Sequence, residues 1–150
     1  MALTLARFCS LLFVALALAP ALAHVMELPH KIGMSAADYL TVQRIYRGWA
    51  LLGIVVIAAL VSTLALVLLV RHEPRAFVPC LIAFLGMLAA QAVFWAFTFP
   101  VNRATSNWSM LPDNWMALRA QWEYSHAAGA LLSFVSFIAL ILYVNRVAAQ

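Results

Sequence analysis

Charge is what this sequence has least of. Lysine and arginine number 9 and aspartate and glutamate 5, together 9% of 150 residues, where an ordinary soluble domain carries about a quarter. With 67% hydrophobic residues and a mean hydropathy of +0.99, the chain cannot clothe a globule in polar surface, so a water-soluble domain is excluded. The 9 basic residues are scattered, and the net charge of +4 builds no nucleic-acid patch; anionic lipid headgroups are the partners it suits. Cysteine is scarce as well. Cys9 and Cys80 lie far apart in apolar runs, without a C-x-x-C pair, which excludes a thiol–disulfide redox motif. Internal repeats and low-complexity segments are absent, so the chain reads as one domain, residues 1–150.

What fills the sequence instead is apolar runs of spanning length, each near the roughly 20 residues that cross a bilayer. The expected architecture is all-α: an integral membrane four-helix bundle with spans at approximately 8–26, 48–70, 76–99 and 124–144. "RHEPR", residues 71–75, is a tight hairpin, and Pro74 is placed to open the third span. Arg7, an apolar core and Ala21-Leu22-Ala23 also match a secretory signal peptide. Because the apolar run continues through Val25 and Met26, a retained first helix, kinked near Pro20, is the expectation. Ser35 followed by Asp38 signals an N-cap and a short amphipathic helix between spans one and two. Tyr39, Val42, Tyr46 and Trp49 form an aromatic stripe there, read as packing and interfacial anchoring.

With four spans, the end of the first helix, the Ser35 helix, the loop after Pro100 and the start of the fourth helix share one membrane face. Basic residues do not choose the orientation by number; Arg7 and the free amine ahead of the first span place both termini in the cytoplasm.

"RAQWEYSH", residues 119–126, opens the fourth span, which should begin near Asp113. At about 100° per residue, Trp115, Arg119, Trp122, Glu123 and His126 fall on one face. His24 and Glu27, three apart, end the first helix, and Asn102 and Arg103 follow the third. Ionisable groups at depth turn inward or pair, and two readings follow. In one, Arg119 pairs with Glu123, and Glu27 meets Arg103 or Arg119, only to set helix register. In the other, Trp115, Trp122, Trp108 and Trp95 wall a pocket for a flat, lipid-soluble aromatic substrate, with His126 as base and Glu123 orienting it.

A metal is a third use of the same residues. His24 with Glu27 and Glu123 with His126 have the i, i+3 spacing of carboxylate–histidine sites in bundles. A di-iron centre wants further carboxylates and Arg119 repels a cation, so no metal is favoured; iron, copper, or haem held by His24 and His126 stays open. If the first segment were cleaved, His24 would become an N-terminal copper ligand. Elsewhere, Gln91 is the amide deep in a span and a candidate for an interhelical hydrogen bond. Ser62, Thr63, Ser133 and Ser136 can bond to their own helices, and Gly129 with Ser133 offers a small-residue packing face.

"HVMELPHKIGMS", "YLTVQRIYRGWALLG", "FPVNRAT" and "NWMALRAQWEYSH" resemble the family of bacterial four-helix membrane proteins, a domain of unknown function, that includes fungal anthrone oxygenases. The resemblance runs from about His24 to Arg146. Its most specific piece is the string of Trp115, Arg119, Trp122, Glu123 and His126 after Pro100 and Asn102. It implies a retained first helix, a bacterial inner membrane location, and an oxygenase-like oxidation of an activated aromatic methylene without a dedicated cofactor. On that basis the expected catalytic residues are His126, Glu123, Arg119 and Asn102, and the expected substrate-binding residues are Trp115, Trp122, Trp108 and Arg103. The competing expectation is a non-catalytic accessory or lipid-contacting protein.

Overall fold

A computed structural model describes residues 1–148. Its α-helices follow in chain order as α1 (Ala2–Lys31), α2 (Ala36–Gln43), α3 (Leu52–Leu69), α4 (Pro74–Val93), α5 (Phe99–Ala104) and α6 (Trp115–Ala148). No strand occurs among the described residues. Turns of 3-10 helix at Arg44–Tyr46 and Trp49–Leu51 carry α2 into α3, and a π-helical turn, Phe94–Thr98, carries α4 into α5.

Four stretches are long and apolar enough to cross a membrane: Ala2–Lys31, Trp49–Leu69, Pro74–Ala104 and Trp115–Val147. Three of them outrun their apolar runs in the sequence. Hydropathy drops where polar residues begin, yet His24 and Lys31 of α1 and Arg119 and Glu123 of α6 are buried inside the bundle. The helix therefore continues, with its polar face turned inward and the cost of facing lipid avoided.

In the assembled bundle α1 packs on α3 and α6, and α4 on α6 and α3, so the four long helices close a ring. The outer surface is the apolar one: Ile54 is 69% and Leu131 64% exposed. Such a continuous apolar exterior suits lipid as solvent, and the fold is compatible with a multi-pass membrane protein.

Lipid offers no hydrophobic gain for helix association, so close packing must supply it. Ala59, Ala83, Ala90, Ala130 and Ala139 are buried between helices. Thr63 Oγ1 donates to the Ala59 carbonyl at 2.7 Å and Ser136 Oγ to that of Leu132 at 2.9 Å, the expected return bonds within a helix. The tightest approach at a glycine is at Gly86 of α4, where an added Cβ would collide with Ser136 Oγ and stand 3.0 Å from the Leu132 carbonyl of α6. Gly129, marked by its spacing as the packing glycine, has no such neighbour within 4 Å. Its small-residue pattern is a local coincidence, and the contact is made by α4.

Two local devices shape the end of the bundle where the ionisable residues gather. Ser35 caps α2, accepting from the Asp38 backbone N–H at 3.3 Å and donating to Asp38 Oδ2 at 2.6 Å. At the other, Pro100 has no N–H to donate and its ring crowds the carbonyl four residues back; the π-helical turn Phe94–Thr98 lies just ahead of it. This wider turn aims Thr98 at α6, where its hydroxyl lies 2.7 Å from Ser125 Oγ, and Gln121 Nε2 donates to the Phe97 carbonyl at 2.9 Å. These bonds join α4 and α6, the role Gln91 was expected to fill.

Candidate functional site

The site is organised around one indole. Trp122 of α6 is buried, and its Nε1 donates to Asn102 Oδ1 of α5 at 2.8 Å. Against its ring lie His126 at 4.2 Å, His24 at 5.1 Å, Tyr46 at 5.6 Å and Trp108 at 6.2 Å between centroids. Lys31 Nζ stands 4.8 Å from the same ring, within cation–π range. Helical spacing puts Trp122 and His126 one turn apart; the end of α1 brings His24 and Lys31, the 3-10 turn after α2 brings Tyr46, and the loop after α5 brings Trp108.

Beside the indole runs a buried chain of charge-assisted bonds. Lys31 Nζ lies 3.0 Å from Glu123 Oε1 and donates to the Tyr46 hydroxyl at 2.8 Å. Tyr39 donates to the same Glu123 oxygen at 2.9 Å, and Tyr46 donates to Glu27 Oε2. Glu27 is itself 3.7 Å from Lys31 Nζ and 4.0 Å from His24 Nδ1. Lys31 is 2% and Glu123 0% exposed, so removing either partner would strand a charge. Burial, then the Glu123 carboxylate, push the Tyr39 phenol far above its ordinary pKa; burial and the bond to Glu27 do the same for Tyr46.

The two histidines meet face to face. His24 and His126 rings stack with centroids 4.1 Å apart and planes 26° from parallel. Several buried polar atoms of this end have no hydrogen-bond partner: His24 Nδ1, Trp108 Nε1, Arg119 Nε and Glu123 Oε2. Among the described residues no group of three or more His, Cys, Asp or Glu is placed to hold a metal.

The expected stripe of Trp115, Arg119, Trp122, Glu123 and His126 does face the bundle, but its internal partners differ from those its spacing suggested. Arg119 does not bond Glu123. Its Nη1 donates to the Met34 carbonyl at 2.7 Å, and its guanidinium lies 4.7 Å from the Trp115 ring and 5.5 Å from that of Tyr39. Glu123 turns instead to Lys31, and Glu27 to Tyr46 and Lys31, not to Arg103 or Arg119. A cation from α1 wins because it arrives from across the bundle, where the i, i+4 geometry on α6 would bend both side chains along the helix surface.

No family model, curated protein or solved structure matches this chain. The site therefore rests on its own geometry.

Of the remaining expected residues, Trp108 is buried edge-on to Tyr39, with ring centroids 4.9 Å apart, while Asn102 is half-buried and Arg103 exposed. Trp95 is 59% exposed and packs on Phe94 and Phe99, away from the indole hub. Lys31, Tyr39 and Tyr46 are the site residues that sequence reasoning set aside. Lys31 follows two turns after His24, a spacing that puts both on one face of α1; this was the available signal.

Proposed function

We propose that this chain is an integral membrane oxidoreductase of the oxygenase type, acting on a flat, lipid-soluble aromatic substrate at the end of the bundle that holds Trp122. The observation that supports this reading most is the gathering of an acid–base set, the buried Lys31, Glu123, Tyr39 and His24 with the half-buried His126, beside that single indole. His126, half-buried and stacked on His24, removes a proton from an activated methylene. Lys31 and Arg119 supply positive charge for the resulting enolate, and Asn102 positions Trp122 through its indole N–H. Dioxygen is the oxidant: a carbon–oxygen bond forms, and the hydroperoxide loses water, so that CH2 and O2 become C=O and H2O. The resemblance to anthrone oxygenases supports the oxygenase class and the absence of a dedicated cofactor; a bacterial inner membrane location belongs to the same proposal, with cytoplasmic termini read from Arg7 and the free amine ahead of the first span.

A second reading, a non-catalytic membrane protein, is favoured by one specific observation. The Lys31–Glu123 pair joins α1 to α6 in full burial and on its own accounts for both charges as register-setting groups.

Oxygen uptake and carbonyl formation, measured on purified protein in lipid nanodiscs with an anthrone-type substrate, separate the two. The oxygenase reading expects one O2 consumed per carbonyl formed and a loss of at least about 100-fold in His126→Gln. A folded His126→Gln protein turning over at the wild-type rate would remove His126 from the chemistry. No uptake in the wild type, alongside an unfolded Glu123→Gln variant, would favour the structural reading.

A further inference from the structure

At the end of the third spanning stretch, Pro74–Ala104, a cleft of about 370 Å³ is lined by Phe99, Asn102, Arg103, Ser106 and Asn107. Its outer wall is made by an unusual backbone. Ser106, Asn107 and Trp108 all take left-handed conformations, with φ of 48°, 54° and 58°, which costs non-glycine residues energy and persists only where the surroundings enforce it. Here the surroundings do. The Asn107 N–H donates to the Asn102 carbonyl at 2.7 Å, the Trp108 N–H to Thr105 Oγ1 at 3.0 Å, and the Trp108 side chain is buried against Tyr39. The chain thus folds back on α5, sinking Trp108 into the bundle and setting Ser106 and Asn107 at the rim.

The chemistry of the lining is one-sided. It contains no carboxylate. Arg103 is exposed and forms no ion pair among the described residues. Asn102 has its amide oxygen engaged by Trp122, which leaves its NH2 as the free, donating end. Asn107 adds a further donor, while the Ser106 hydroxyl is turned to Met110 Sδ at 3.6 Å. An anion fits this set, and an arginine fork suits phosphate oxygens in particular. Beside the cleft, Phe94, Trp95 and Phe99 form an aromatic ledge, with Trp95 and Phe99 rings 4.8 Å apart and both exposed on the apolar exterior. Aromatic rings at this depth mark the lipid interface.

We propose that this cleft binds the phosphate headgroup of an anionic membrane lipid, with its acyl chains lying over the Trp95–Phe99 ledge. The site borders the chemistry proposed at Trp122, sharing Asn102 with it, but binding here does not depend on that chemistry. Its occupant would nonetheless touch Asn102, the residue that holds the Trp122 indole.

The test titrates purified protein, in uncharged detergent, with phosphatidylglycerol, with phosphatidylcholine of the same chain length, and with inorganic phosphate alone. Binding is read by native mass spectrometry and by the thermal midpoint. Phosphatidylglycerol is expected to bind and raise the midpoint, and phosphatidylcholine and inorganic phosphate are not. Arg103→Gln is expected to weaken phosphatidylglycerol by about tenfold, Arg103→Lys by less, and Arg44→Gln, at another exposed cation of the same end, not at all. Equal binding of the two lipids, an unchanged Arg103→Gln, or an equal loss in Arg44→Gln would overturn the site. A full effect from inorganic phosphate alone would make it a small-anion site and overturn the lipid assignment.

Discussion

Lys31 and Glu123 show how a single pair can be worth little as a sum and much as a difference. Taking two charges out of water and into buried contact is near break-even, whereas leaving one alone is costly. Lys31→Met is therefore expected to destabilise the protein by about 3–5 kcal/mol, and the double variant Lys31→Met/Glu123→Leu to recover most of that. Thermal unfolding in detergent checks both; a double variant no more stable than the single would refute the pairing. Tyr39 and Tyr46 give a pH signature of the same network. Their folded pKa values are raised above the ordinary 10.0, so their contribution is fully present below pH 10 and is lost as pH rises beyond it, where the unfolded chain releases phenolic protons first. Stability measured from pH 8 to 12 should fall in the upper half of that range, and less steeply in Tyr39→Phe. The members of this network were only partly legible. Periodicity on α6 brings Glu123 and His126 to one face, but nothing local says which residue of α1 will stand opposite.

At the level of helices, α4 and α6 are set by the contact at Gly86. Gly86→Ala should cost about 1–3 kcal/mol, the range for overpacking. Adding Ser136→Ala should restore part of it, since the collision with Ser136 Oγ disappears while the 3.0 Å approach to the Leu132 carbonyl remains. Comparing the midpoints of single and double variants decides this, and the absence of any rescue would place the strain elsewhere. Element by element, what could be read was what is encoded over a few residues: Ser35 with Asp38 announces α2, and Pro74 opens α4. The π-helical turn before Pro100 and the choice of Gly86 over Gly129 could not be read, because each depends on the facing helix. Pro100 signals a disturbance in the hydrogen-bond ladder without saying whether the helix will break, kink or widen.

The molecule as a whole is four apolar helices in a ring, and this was the most legible level, since lipid solvation writes itself into every residue of a span. Only the span ends shifted, where inward-facing polar residues lower hydropathy while the helix continues. The topology carries its own prediction. With Cys9 and Cys80 replaced by alanine, His72→Cys and Asn107→Cys, both at exposed positions, should react with an impermeant maleimide from opposite sides of the membrane. Labelling of both from the same side would contradict a four-span arrangement.

The ring is fastened by its first and last helices, through Arg7 Nε donating to the Tyr143 hydroxyl at 2.7 Å near one end and Lys31 against Glu123 near the other. A ribosome delivers α1 well before α6. The nascent α1 must wait in the bilayer with both cations snorkelled toward water until α6 emerges. Closure of the bundle thus waits for α6, and a chain arrested before α6 would present quality-control proteases with a Lys31 that lacks its Glu123 partner.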